Sequence, residues 1–435
     1  MDIIKNIVFW SQINTEQKLK VLSRPILNQK KTITKTVSQI INDVRILGDD
    51  ALYKYTYKFD KINLKSIKVK FDHIANASTY INKNLKKSIN IAKKNITLFH
   101  ASQKNSPIKL NTQIGVTCEQ LIRPIESVGI YIPGGSAPLI STVLMLAIPA
   151  YLSGCKKIVL CSPPNIDYAI LYAAYICNVR EIYQIGGAQA IAALAYGTKT
   201  IPKVNKIFGP GNMYVTEAKS QISNLLNNTS IDMLAGPSEL MIIADEHANA
   251  DFIASDLISQ AEHGVDSQVF LVTSSIKLAN NVLNSLKSQI HKISRITIVK
   301  KSLKNSFFII TKNLLEAVAI SNMYAPEHLI IQTKKPRYLL QYIKNAGSIF
   351  LGLWSPESVG DYASGPNHVL PTYGYASSQS GLSVRDFQKY ISVQELTLKG
   401  LLNISKTVKM LASAEKLDGH KYAVQSRIDY IKGKN

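Results

Sequence analysis

After Gln120 the chain alternates short β-branched runs with helical segments, separated by Gly/Pro turns, and no other feature narrows its choice of fold as much. Strand-like runs fall at Ser127 to Ile132, Lys157 to Leu160, Glu181 to Ile185 and Lys206 to Ile207, with helical stretches such as Ile140 to Leu152 and Tyr168 to Cys177 between them. A second series begins near Leu240: strand-like Leu240 to Ala244 and Gln268 to Thr273, helical Ala250 to His263 and Leu278 to Ile290. Strand and helix at this spacing predict an α/β protein with two parallel-sheet domains. From Lys18 to about Gln113, Ile, Leu, Val and Tyr recur at three and four spacing, which predicts a helical scaffold. Beyond Ser383 the chain reads as helical and basic again. Its segments Thr407 to Ala414 and Lys421 to Ile431 are too short to be stable alone and must dock on another surface.

Composition excludes several classes. With 46% hydrophobic and 18% charged residues over 435 positions, the chain can build two or three cores and is not disordered. Its most apolar stretch, Val143 to Leu152, falls short of the ~18 residues a membrane span needs and contains Pro149. The N-terminus has Asp2 where a signal peptide would be basic, so a cytoplasmic protein is expected. Cys118, Cys155, Cys161 and Cys177 form no Cys-x-x-Cys pair, which argues against a disulfide scaffold or a thiolate zinc site. They read as small buried side chains, with a nucleophilic thiolate as the alternative. The formal charge of +22 raises nucleic acid as a partner, yet the basic residues are scattered or sit in Lys/Asn/Ile-rich runs such as Asn82 to Ile96. Without interleaved aromatics, those runs read as solvated surface and not as a specific nucleic-acid site.

Three polar clusters can carry chemistry. Gln260 and His263, three apart at the end of a predicted helix that Gly264 would stop, share one face and suit either a metal or a helix cap. Pro326-Glu327-His328 reads as a helix start. The positive helix end would keep Glu327 ionised and His328 neutral, so either could accept a proton, though plain charge complementation is the alternative. Gly360-Asp361 through Gly365-Pro366-Asn367-His368 is a glycine-bounded loop offering a carboxylate and an imidazole. Gly186-Gly187-Ala188-Gln189 and Gly209-Pro210-Gly211-Asn212 follow strand-like runs, and Asp232 to Glu239 precedes one. Such turns admit a phosphate or serve as ordinary connections, and none fits G-x-G-x-x-G.

Taken in order, these segments resemble the histidinol dehydrogenase family. The residues that carry the likeness are Tyr131-Ile132-Pro133-Gly134-Gly135-Ser136-Ala137-Pro138, Gly186 to Ala190, Phe208 to Asn212, Ala235 to Glu239, Gln260 to His263, Pro326 to His328, Gly360 to Tyr362, Gly365 to His368 and Ala414-Glu415. The resemblance implies one zinc per subunit held by Gln260, His263, Asp361 and His420, borderline N and O ligands without sulfur. It implies Ser238, Gln260, His263, His328, Asp361, Glu415 and His420 as contacts of L-histidinol, and Tyr131, Gln189 and Asn212 as NAD contacts. It further implies two incomplete Rossmann-like domains with extended helical termini that exchange within a homodimer, so that active sites are shared. The expected divisions are 1–25, a helical segment; 26–129 with 238–382, carrying most metal and catalytic residues; 130–237, binding NAD; and 383–435, a helical tail. Leu234 and Ser136 depart from the family's usual proline and threonine.

On that resemblance, two hydrides leave one carbon of L-histidinol. His328 takes the hydroxyl proton, and Glu327 later deprotonates the water that adds to the aldehyde. A zinc hydrolase with Glu327 activating water is the rival enzyme reading, and the nucleotide-facing turns weigh against it. A basic nucleic-acid binder is the nonenzymatic one, supported by charge alone.

Overall fold

Burial on both faces explains the strands at the centre of the fold. In the computed structural model, which describes residues 7–25, 30–103, 106–134, 138–224, 228–233 and 236–433 (the side chains at 30 and 31 apart), the runs Glu239–Ala244 and Gln268–Thr273 are buried at every position. Leu240 and Ile242 pack with Leu257 and Ala261 on one face, Met241 and Ile243 with Ala317 and Val318 on the other. Such strands read as continuous apolar runs because helices cover both sides of a parallel sheet. Ser136 and Leu234, the two departures from the family pattern, lie outside the described residues.

In chain order the strands are β1 (Ile7–Phe9), β2 (Ile108–Gln113), β3 (Val116–Pro124), β4 (Ser127–Tyr131), β5 (Lys157–Cys161), β6 (Glu181–Tyr183), β7 (Lys206–Phe208), β8 (Ser230–Ile231), β9 (Glu239–Ala244), β10 (Gln268–Thr273), β11 (Phe307–Ile310), β12 (His328–Gln332), β13 (Ser348–Leu351) and β14 (Gln388–Leu396). Contacts divide the chain into two units, Met1–Gln103 with Ile125–Phe387, and Lys104–Pro124 with Gln388–Asn435. The first holds two parallel sheets, ordered β1-β11-β10-β9-β12-β13 and β6-β5-β4-β7-β8. In each, the chain lays three strands outward in one direction and then returns to the other side of the starting strand. The order therefore reverses between β9 and β12 in one sheet and between β4 and β7 in the other, and such reversals open crevices where α/β proteins bind ligands. The second unit is an antiparallel sheet, β14-β3-β2, with the helices Leu398–Ala414 and Asp418–Lys432. No helix among the described residues is long and apolar enough to cross a membrane.

Three local expectations fail for physical reasons. The sequence predicts helix up to about Gln113 and again beyond Ser383, but β2 and β14 are strands. The side chains of β2 are all exposed and most of those of β14 are too, so neither run shows the alternation that one-sided burial writes into a sequence. The helix from Ala250 ends at Ala261, so Gln260 and His263 do not share a helix face. Glu262 N–H closes on Ile258 O, and His263 N–H makes a tighter three-residue turn to Gln260 O. Pro326-Glu327-His328 does not start a helix. The helix Leu314–Tyr324 stops at Ala325 in the left-handed region (φ 52°), and His328 opens β12, a strand buried at every position between β9 and β13. The helix-end effect expected on Glu327 and His328 is therefore not the one acting on them.

Candidate active site

The metal and base candidates of the first unit converge at the amino ends of β9 and β12, the edge opposite the one at which parallel sheets usually bind ligands. Ser238 immediately precedes β9, and His328 is the first residue of β12, in register with Leu240. The chain after the helix Ala250–Ala261 returns to the same edge with His263, and the helix Glu357–Tyr362 brings Asp361. A second layer fixes these pieces. Arg24 makes a two-pronged ion pair with Glu239 (2.5 and 3.0 Å), whose Oε1 also accepts from Tyr373 N–H at 2.9 Å. His368 lies between Asp361 O, 2.8 Å from Nδ1, and Thr142 Oγ1, 3.3 Å from Nε2; burial lowers its pKa.

His328 is 3% exposed. Its Nδ1 lies 3.3 Å from Glu239 O and 3.6 Å from Glu327 Oε2, and its Nε2 lies 3.6 Å from Asp361 Oδ1. Burial opposes a charge on this ring, but Glu327, Asp361 and Glu357 outweigh it and hold the pKa well above the usual histidine range. Asp361 mirrors this: burial would raise it, yet His328, His368 and His263 pull it below the usual carboxylate range. Glu327 is buried, with Oε2 accepting from Glu239 N–H at 2.8 Å.

One residue of this cluster escaped the sequence reading. Glu357 is 1% exposed, and burial, countered by His328, pushes its pKa up to about 8. It stands one turn before Asp361, and an i, i+4 pair of carboxylates repels on a helix surface, so the spacing itself was a signal. Ligand atoms of His263, Glu357 and Asp361 all lie within 4.8 Å of one another. Zinc bonds of about 2.1 Å place neighbouring ligands roughly 3.4 Å apart in a tetrahedron, so a small shift closes this group on one ion. The fully buried Gln260 adjoins it. With its nitrogen toward Glu357, its amide donates to both Glu357 oxygens (3.0 Å each) and accepts from Glu239 N–H (3.2 Å). A cation among the carboxylates calls for the opposite orientation, carbonyl inward. The Asp361 carboxylate, the His263 imidazole and the Gln260 amide form a hard-to-borderline donor set that fits zinc, with Glu357 beside them against Gln260. His263 Nδ1 also lies 3.2 Å from Ser238 Oγ.

The nucleotide candidates gather at the carboxyl ends of the five-stranded sheet, around the reversal between β4 and β7. Tyr131 ends β4, and its buried hydroxyl accepts from Gly187 N–H at 3.0 Å, leaving its own proton to donate. Gln189 is 1% exposed in the first turn of the helix Gly187–Tyr196, and its Oε1 has no hydrogen-bond partner among the described residues. An orphaned buried carbonyl beside a crevice suits a donor on a bound ligand. Asn212 caps the helix Met213–Ser223, its Oδ1 accepting from Tyr214 and Val215 N–H (3.0 and 3.2 Å), and its amide NH₂ takes no part in that cap. Glu415 and His420 belong to the second unit, where both are exposed. Burial pushes the thiols of Cys155, Cys161 and Cys177 up, away from the thiolate form, so none of these three is a poised nucleophile.

Comparison with known proteins is concordant. The sequence model of the histidinol dehydrogenase family matches residues 23–428. The chain is 60% identical over 434 residues to histidinol dehydrogenase of Buchnera aphidicola subsp. Acyrthosiphon pisum, covering 100% of both chains. It is 54% identical to that of Vibrio vulnificus YJ016, covering 98% of both. The crystal structure of histidinol dehydrogenase from Elizabethkingia anophelis superposes with a TM-score of 0.94 at 44% identity, covering 99% of each chain.

Proposed function

The chain belongs to the histidinol dehydrogenase family, an NAD-dependent oxidoreductase of histidine biosynthesis, and from that premise we propose how its residues divide the four-electron oxidation of L-histidinol to L-histidine. The observation that carries the reading is the convergence of buried Gln260, Glu327 and His328 with half-buried Asp361 and exposed His263 at the amino ends of β9 and β12. Bound zinc, held by Gln260, His263 and Asp361, would fix the substrate's imidazole and amino nitrogens, and NAD would accept a hydride at each of two steps.

His328 is the base for the hydroxyl proton. Glu239 O engages Nδ1, which selects the tautomer whose lone pair lies on Nε2, the atom facing Asp361. In the protein alone the surrounding carboxylates favour protonated His328. Zinc held among them would offset that charge, and His328 would then be neutral and able to accept the proton at Nε2. Glu327 is the base for the second step: with Oε2 held by Glu239 N–H, its other oxygen takes a proton from the water that adds to L-histidinaldehyde. Ser238 contacts the substrate beside His263, and Tyr131, Gln189 and Asn212 hold NAD. Glu415 and His420 complete the site from a partner subunit of a homodimer, His420 as fourth zinc ligand and both as substrate contacts. Its need for NAD places the reaction in the cytoplasm.

The test is histidinol-dependent absorbance of NADH by the purified, zinc-loaded protein. Two NADH per histidinol consumed is expected. One NADH per histidinol would sink the division of labour between His328 and Glu327.

A further inference from the structure

The turn after β7 is held by an ion pair that none of the roles above uses. Gly209 has φ 121°, and a Cβ there would lie 2.2 Å from Tyr131 O, so the turn rests directly on the carboxyl end of β4. Both polar backbone atoms of Gly209 are taken by charged side chains. Its N–H donates to Asp232 Oδ2 at 2.8 Å, and its carbonyl accepts from Lys219 Nζ at 2.9 Å. Lys219 and Asp232 also pair with each other, with side chains 2% and 1% exposed. Lys219 reaches back from the helix Met213–Ser223, which Asn212 caps, and Asp232 comes from the residue after β8. One peptide unit, three residues before Asn212, is thus gripped from the helix that follows it and from the neighbouring strand.

A buried ion pair adds little net stability, because desolvation offsets the attraction, and apolar replacements of both partners commonly fold as well or better. What this pair supplies is geometry at the reversal between β4 and β7. We propose that Lys219 and Asp232 are positioning residues for the dinucleotide: by holding Gly209 they set where Asn212 stands relative to Tyr131, and so set the affinity for NAD. This rests on the reading that NAD lies against Tyr131, Gln189 and Asn212. Among the described residues the pair's hydrogen bonds and ion pair reach Gly209 and each other and no metal-cluster residue, so its effect should fall on the cofactor.

The experiment compares zinc-loaded full-length enzyme carrying Lys219→Met with Asp232→Leu, which removes both charges together, and the near-isosteric Asp232→Asn, which keeps an acceptor for Gly209 N–H. NAD dissociation constants are measured by titration, beside zinc content, KM for histidinol, and Asn212→Ala as control. The double variant should bind NAD about ten- to a hundred-fold more weakly, as expected for two backbone hydrogen bonds lost, and Asp232→Asn less so, with zinc content and histidinol KM unchanged in both. If Asn212→Ala weakens NAD while neither clamp variant does, the clamp is overturned and the cofactor reading stands. If Asn212→Ala has no effect either, the cofactor reading falls and the clamp with it. A double variant too unstable to purify leaves Asp232→Asn to decide: wild-type NAD affinity in that variant overturns the proposal.

Discussion

Glu357 and Asp361 stand one turn apart on the same short helix, and their carboxylates and the ring of His263 place ligand atoms within 4.8 Å of one another. Burial acts on both, yet they end on opposite sides of the usual carboxylate range: Asp361 is held down by three histidines, and Glu357 is left at about 8. Glu357 is thus the less stable carboxylate of the pair when no cation is present.

A pH dependence follows for the metal-stripped enzyme. A carboxyl whose folded pKa is raised binds more protons folded than unfolded, so stability falls as pH rises from the ordinary value of 4.5 to about 8. Glu357→Gln should flatten that fall, and thermal melts of chelator-treated protein at pH 5 and pH 8 measure it. In the same variant zinc affinity should drop about tenfold or more, since the partner that orients Gln260 is changed. An unchanged pH slope would show that Glu357 is not the group responsible.

Replacing Glu327 with Gln preserves an acceptor for Glu239 N–H, so the fold at the start of β12 should survive. Water activation enters only after aldehyde forms. Rapid mixing should therefore show the first NADH released at near-normal rate and the second slowed by ~10² to 10⁴. Equal slowing of both hydrides rejects Glu327 as the water base.

His263→Asn should lower zinc content and histidinol affinity while NAD binding stays near wild type, because the metal cluster and the nucleotide crevice are built on different sheets. Loss of one ligand from a shared site removes most of its affinity. Normal zinc in the purified variant would place the metal elsewhere.

His420 and Glu415 belong to a unit of one small sheet and two helices. If His420 serves a partner's site, coexpressed His328→Ala and His420→Ala chains should recover activity: about half of randomly paired dimers are mixed, each with one intact site, giving about a quarter of wild type. A mixture as inactive as its parents means that each site is built within one chain.

The parallel sheets were legible because strands such as β9 and β10, buried on both faces, need unbroken apolar runs, and the helices between them need apolar stripes. Gln260, His263, Glu327, His328 and Asp361 stood out because polar residues flanked by Gly or Pro interrupt that pattern. What sequence could not yield was the direction and company of those side chains. Local preference put Pro326-Glu327-His328 at a helix start, but hydrogen bonding to β9 and β13 made it the edge of a strand. The strands β2 and β14, with mostly exposed side chains, left no alternation to read. Glu357 looked like any acid on a polar turn until packing buried it against Gln260 and His328, and Lys219 like any helix lysine until Asp232, thirteen residues on, met it beneath Gly209. Burial pattern is written along the chain at short range. The electrostatic partners of a buried charge are set by which distant segments meet, and only the tertiary fold decides that.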